Sequence, residues 1–126
     1  LSCSSALQIT NLNKKKLKGK YELMSFEKTV MGKKIICSNY GSRHYEGKMK
    51  IKNDKIEMFI MTDGKEYMEN YKIIGYSDIA LIVESEDGFS FKFFVVFEKD
   101  MVHIFYNTTI DKTLPVLNVD VWRKIR

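Results

Sequence analysis

From Leu17 onward the chain alternates between short apolar runs and turn-forming residues, and within the runs the alternation has a period of two. Arg43, Tyr45, Gly47, Met49 and Ile51 interleave with His44, Glu46, Lys48, Lys50 and Lys52. A period of two places one set on a buried face of a β-strand and the other in water. The pattern predicts eight strands, over residues 18–28, 43–52, 55–62, 65–74, 79–85, 89–98, 101–107 and 117–125. Helical periodicity is confined to a single turn within 9–16.

The connections fix more than the strands do. Asn53-Asp54, Asp63-Gly64 and Lys99-Asp100 have the chemistry of two-residue hairpin turns, and Glu86-Asp87-Gly88 that of a three-residue one. Tight turns force neighbours to pair antiparallel and set their register, so an inward face can be carried from strand to strand. Ile51 then opposes Ile56, Met49 opposes Met58, and Ile60 opposes Tyr67, which brings Glu69, Tyr71 and Ile73 onto the same face. Starting separately from Phe89, Phe91, Phe93, Val95 and Phe97, the flanking turns pair Phe91 with Val83, Phe93 with Leu81, Phe97 with Val102 and Phe93 with Tyr106. Nearly every residue so placed is apolar or aromatic. Eight strands joined this way remove their edges by closing into an up-and-down barrel or by splitting into two sheets. In the barrel the long connections 29–42 and 108–116 share one end with the Asp63-Gly64 and Glu86–Gly88 turns. That end is a mouth and the opposite end a tightly turned floor.

The 126 residues suit one domain, preceded by residues 1–16 as a tether or signal remnant, with the barrel over 17–126. No apolar run approaches the roughly 18 residues needed to cross a bilayer as a helix. The net charge of +5 raises the question of nucleic acid. The lysines are dispersed apart from a cluster over 14–20, and arginine, which grips phosphate and guanine bidentately, occurs only at Arg43, Arg123 and Arg126. A solvated basic surface is the expectation, with no nucleic-acid partner. Cys3 and Cys37 are too few for a disulfide scaffold or a multi-cysteine zinc site.

Leu17-Lys18-Gly19-Lys20-Tyr21-Glu22-Leu23 resembles the Gly-x-Trp opening motif of lipocalins, with Tyr21 at the Trp position, and Val119-Asp120-Val121-Trp122-Arg123-Lys124 resembles their last strand. The whole chain matches in strand count, and it is closest in pattern to compact lipocalin-like (calycin) lipoproteins of bacteria, without a helix after the last strand. The resemblance implies that a basic residue of the last strand packs across Tyr21 and seals the floor. Arg123, which shares the parity of Val119 and Val121, is the expected partner. Leu1-Ser2-Cys3 is similar to the end of a bacterial lipoprotein signal, in which the cysteine carries the lipid. That implies a membrane anchor at Cys3 and a place in the bacterial cell envelope. A Cys3–Cys37 disulfide and two unrelated thiols are the alternatives.

Catalytic motifs are scarce: no phosphate-cradling glycine loop, no nucleophile elbow, no metal-spaced cluster. A single histidine holds haem inside some calycin relatives, but the register turns His44 and His103 outward, and no cofactor is expected. The inward side chains carry the chemistry. Met49, Met58, Tyr67, Tyr71, Phe91, Phe93, Ile104 and Tyr106 line the middle of the cup, either as a filled core or as the wall of a ligand cavity. Two charged residues share their parity: Arg43 near the rim and Glu69 at mid-depth. Glu69 is a polar anchor for a ligand unless a bulge in its strand turns it outward. Met31, Ile35, Ile36 and Tyr40 make an apolar stretch suited to a lid. The expected function is non-enzymatic binding or transport of a small apolar or amphipathic ligand. The alternatives are a structural or protein-interaction lipoprotein with a filled core, and a cryptic isomerase or hydrolase using Glu69 and the tyrosines.

Overall fold

The computed structural model describes residues 14–39, 45–62 and 64–125. A single helical turn, α1 (Lys14–Leu17), leads into nine strands: β1 (Gly19–Val30), β2 (Lys33–Asn39), β3 (Tyr45–Ile51), β4 (Lys55–Thr62), β5 (Lys65–Tyr76), β6 (Ala80–Ser85), β7 (Ser90–Glu98), β8 (Met101–Ile110) and β9 (Leu114–Ile125). Every pairing is antiparallel, and β1 pairs with β9, so β1 and β3–β9 close into an eight-stranded barrel to which β2 is the one addition. No helix follows β9 among the described residues.

The turn-derived register holds from β3 to β8. Met49 opposes Met58 and Ile51 opposes Ile56; Ile60 opposes Tyr67; Leu81 and Val83 oppose Phe93 and Phe91; Phe97 opposes Val102. Two long connections turn out to be strand instead. Residues 29–42 contain β2, which folds back on Ser25–Val30 through a turn whose Met31 and Gly32 both have positive φ, 51° and 77°. That geometry matches the twist of the flanking strands and makes a tight hairpin. Likewise β8 and β9 stay paired as far as Ile110–Leu114 around Asp111 and Lys112. Of the expected lid residues, Met31 is at the hairpin tip and 84 % exposed, Ile35 and Ile36 lie on β2, and Tyr40 is outside the described residues.

A larger correction concerns β9. Val119, Val121 and Arg123 face outward, while Val116, Asn118, Asp120 and Trp122 face the interior, because β8 sets them opposite Ile104 (Asp120) and Val102 (Trp122). The opposite parity looked equally apolar because Val119 and Val121 pair on the outer surface with Phe105 and His103. A bulge in β1 completes the arrangement. Leu23 pairs with Trp122 and Ser25 with Val121, leaving Met24 as the extra residue. A bulge reverses parity, so Tyr21 and Leu23 point inward below it, and Phe26 and Lys28 above it.

At the floor the basic residue beside Tyr21 is Lys124 and not Arg123. Lys124, the cross-strand partner of Tyr21, holds its ammonium 6.0 Å from the Tyr21 ring centre and donates to the Lys16 carbonyl at 2.9 Å. Gly19 has φ 147°, a conformation that L side chains rarely adopt, and the Lys124 stem crosses it so closely that a Cβ would lie 2.7 Å from Cε. Arg123 is on the other face of the strand and pairs with Glu22, its Nε 2.9 Å from Oε1. Tyr21 is fully buried and donates to the Leu17 carbonyl at 2.6 Å, so α1 is fastened beneath the barrel with Leu17 in the core.

Above the floor, Leu23, Ile51, Ile56, Val83, Val95, Phe97, Val102 and Trp122 pack into one apolar cluster. Gly47 permits a close approach: a Cβ there would stand 2.9 Å from Leu23 Cβ and 3.4 Å from Trp122 Cη2. Methyl-sized space is thus already filled in the lower half.

Candidate functional site: a polar cavity in the upper barrel

Packing stops part-way up. The upper barrel encloses a cavity of about 250 Å³ lined by residues of β1, β4, β5, β7, β8 and β9. At roughly 30 Å³ per molecule of liquid water, that is room for about eight waters. Met58, Ile60, Phe93, Ile104 and Trp122 form its apolar wall, and Tyr67 and Glu69 lie toward the exposed rim. The two halves therefore realise both readings of the interior, a filled core below and a cavity above.

Glu69 keeps the inward register, opposite Met58; the bulge of β5 falls further along, between Ile73 and Gly75. Its Oε2 accepts a hydrogen bond from the Tyr71 hydroxyl at 2.8 Å. Across the cavity the Tyr106 hydroxyl is hydrogen-bonded to Asp120. Burial pushes the Asp120 carboxyl up to about 6, against the pull of the Tyr106 hydrogen bond and the Lys28 charge, with Glu69 adding to the rise. Burial also raises both tyrosines, Tyr106 further through Asp120 and Tyr71 further through Glu69, so both remain neutral donors. Lys28 donates to Asn118 Oδ1, and fully buried Asn118 in turn donates to Thr108 Oγ1 at 2.9 Å and to the Tyr106 carbonyl at 3.3 Å. Two carboxylate–tyrosine pairs thus face one ammonium. The aromatic rings pack edge-on: Tyr71 to Phe93 at 5.4 Å and to Phe91 at 6.2 Å, with Phe93 tilted against Tyr106 at 5.2 Å.

One buried donor is unmatched. Trp122 is 1 % exposed, lines the cavity, and its indole N–H has no hydrogen-bond partner among the described residues.

Of the residues expected to line a site, Met58, Tyr67, Glu69, Tyr71, Phe93, Ile104 and Tyr106 meet at the cavity. Met49 is packed in the core below, and Phe91 supports Tyr71 from the side. Arg43, His44 and Cys3 lie outside the described residues, and Cys37 is on β2 opposite Glu27. His103 faces outward, 3.6 Å from Glu98, with burial lowering its pKa. Phe26, Lys28, Asp120 and Trp122 were not foreseen as lining. All four depend on the β1 bulge or the β9 parity, and Asp120 alone had a local signal, a carboxylate between two valines. No three His, Cys, Asp or Glu side chains cluster as a metal site among the described residues. Comparison with protein-family models and with curated proteins finds no match, so the barrel and its cavity carry the functional argument.

Proposed function

We propose that this protein is a non-enzymatic carrier, a lipocalin-like barrel that takes one small amphipathic molecule through its mouth into the upper cavity. The observation that carries the reading is the mixed lining: aromatic walls with a few convergent polar groups, one of them an unmatched buried donor, are the usual make-up of a ligand pocket. The volume of about 250 Å³ lies at the small end of ligand pockets and favours a compact ligand. Trp122, the single tryptophan of the chain, is a built-in reporter. Titration with short-chain amphiphiles should shift its fluorescence, with native mass spectrometry giving a one-to-one complex. Ile60→Trp, which fills the cavity from a half-buried position, should abolish the complex while the protein stays folded. If wild type takes up no amphiphile of this size and Trp122 emission never moves, the carrier reading fails.

We further propose attachment to the bacterial envelope through a lipid on Cys3, supported by the Leu-x-Cys similarity at 1–3. Intact-mass measurement of the protein from membranes would show the lipid, and Cys3→Ser would release the protein. A second reading, an interaction protein working through its outer surface, is favoured by the half-buried outward row Phe94, Phe105 and Val119 across β7–β9. Phe105→Lys would disrupt that role and leave cavity binding intact.

A further inference from the structure

We propose that the ligand carries an ammonium group on a small apolar body, held by the Asp120 and Glu69 carboxylates inside the aromatic wall of Tyr71, Tyr106 and Phe93. The inference rests on the carrier reading and names its ligand class. It follows from counting what each lining group still offers. Tyr71 spends its only O–H on Glu69 and Tyr106 is hydrogen-bonded to Asp120, so both hydroxyls turn lone pairs to the cavity. The carboxylates are acceptors only. Lys28 gives one of its three N–H donors to Asn118 and is the one cation among the described lining residues, against the two carboxylates. The described lining is therefore rich in acceptors, with two carboxylates to one ammonium.

An ammonium matches both features. It donates to carboxylate and hydroxyl oxygens through charge-assisted hydrogen bonds, and aromatic faces attract its charge where water is excluded. A carboxylate ligand meets two like charges against the single ammonium of Lys28. The Trp122 N–H, which has no hydrogen-bond partner among the described residues, would take an acceptor as well. An oxygen on the apolar body, or one water carried in beside it, would provide that acceptor.

A matched set separates the possibilities: 2-phenylethylamine, 2-phenylethanol and 3-phenylpropanoate, titrated at neutral pH by Trp122 fluorescence and calorimetry. The amine should bind at least about tenfold tighter than the alcohol, and the carboxylate weakest. Asp120→Asn should weaken the amine by about tenfold and leave the alcohol within about twofold, whereas Lys28→Met should strengthen the amine. Opposite signs from two variants in one cavity cannot arise from general loosening. If the alcohol or the carboxylate binds as tightly as the amine, the ammonium inference is overturned while the carrier reading stands. If none of the three binds, but a longer neutral amphiphile does, the inference again fails alone. If nothing binds, both fall together.

Discussion

Asp120 sits between unequal neighbours: Lys28 and the Tyr106 hydroxyl favour its charge, while burial and Glu69 oppose it more strongly. In the unfolded chain the carboxyl has its ordinary value of 3.8, and in the barrel it is pushed up to about 6. Between these values the folded protein holds a proton that the unfolded chain releases. Folding stability therefore falls as pH rises through this window and stays lower above it, by up to about 3 kcal/mol. Asp120→Asn should remove the slope, so that urea melts show the variant gaining on wild type at pH 7.5 and losing the advantage near pH 4. Equal pH profiles for the two proteins would refute the assignment. Tyr21 shows the opposite use of a buried polar group. Burial pushes its hydroxyl up to about 12, and the bond to Leu17 satisfies it. Tyr21→Phe strands the Leu17 carbonyl and should cost about 1–2 kcal/mol in the same melts.

At the scale of the strand, two small features in β1 and β3 decide what the barrel encloses. Met24, the bulged residue, sets the phase of everything above it in β1. Inserting one alanine after Ser25 would turn Phe26 and Lys28 outward or shear the β1–β9 seam, so the insertion should lower the melting temperature far more than Met24→Ala does. Gly47→Val would drive a side chain into Leu23 and Trp122 and should cost about 1–3 kcal/mol, with a change in Trp122 emission. These features also mark where the sequence was legible. From β3 to β8, turn chemistry and one-sided alternation agree, so the partners of Met58, Tyr67, Phe93 and Val102 could be read off directly. Glu69 and Tyr71 came with them. The bulge at Leu23-Met24-Ser25 has no glycine or proline to announce it. In β9 apolar residues occupy both faces, so parity could not be fixed, and the rule that charges face water hid Lys28 and Asp120. The failures coincide with the polar part of the cavity, where burial of charge breaks the pattern that makes the rest readable.

For the molecule as a whole, neighbouring hairpins supply local pairing, but the β1–β9 seam joins the first strand to the last. No part of the wall is closed until that seam forms. Thermal unfolding followed by far-ultraviolet circular dichroism and by Trp122 emission should therefore give one coincident transition. A separate early change at Trp122 would mean that the upper half opens by itself. The fastening beneath the barrel has a practical corollary. Because Lys124 ties α1 to the end of β9, the chain enters and leaves the barrel at the same pole, opposite the rim. A protein captured on a sensor surface by either end, or fused there to another domain, stands with its opening outward, so immobilisation and loading would not compete.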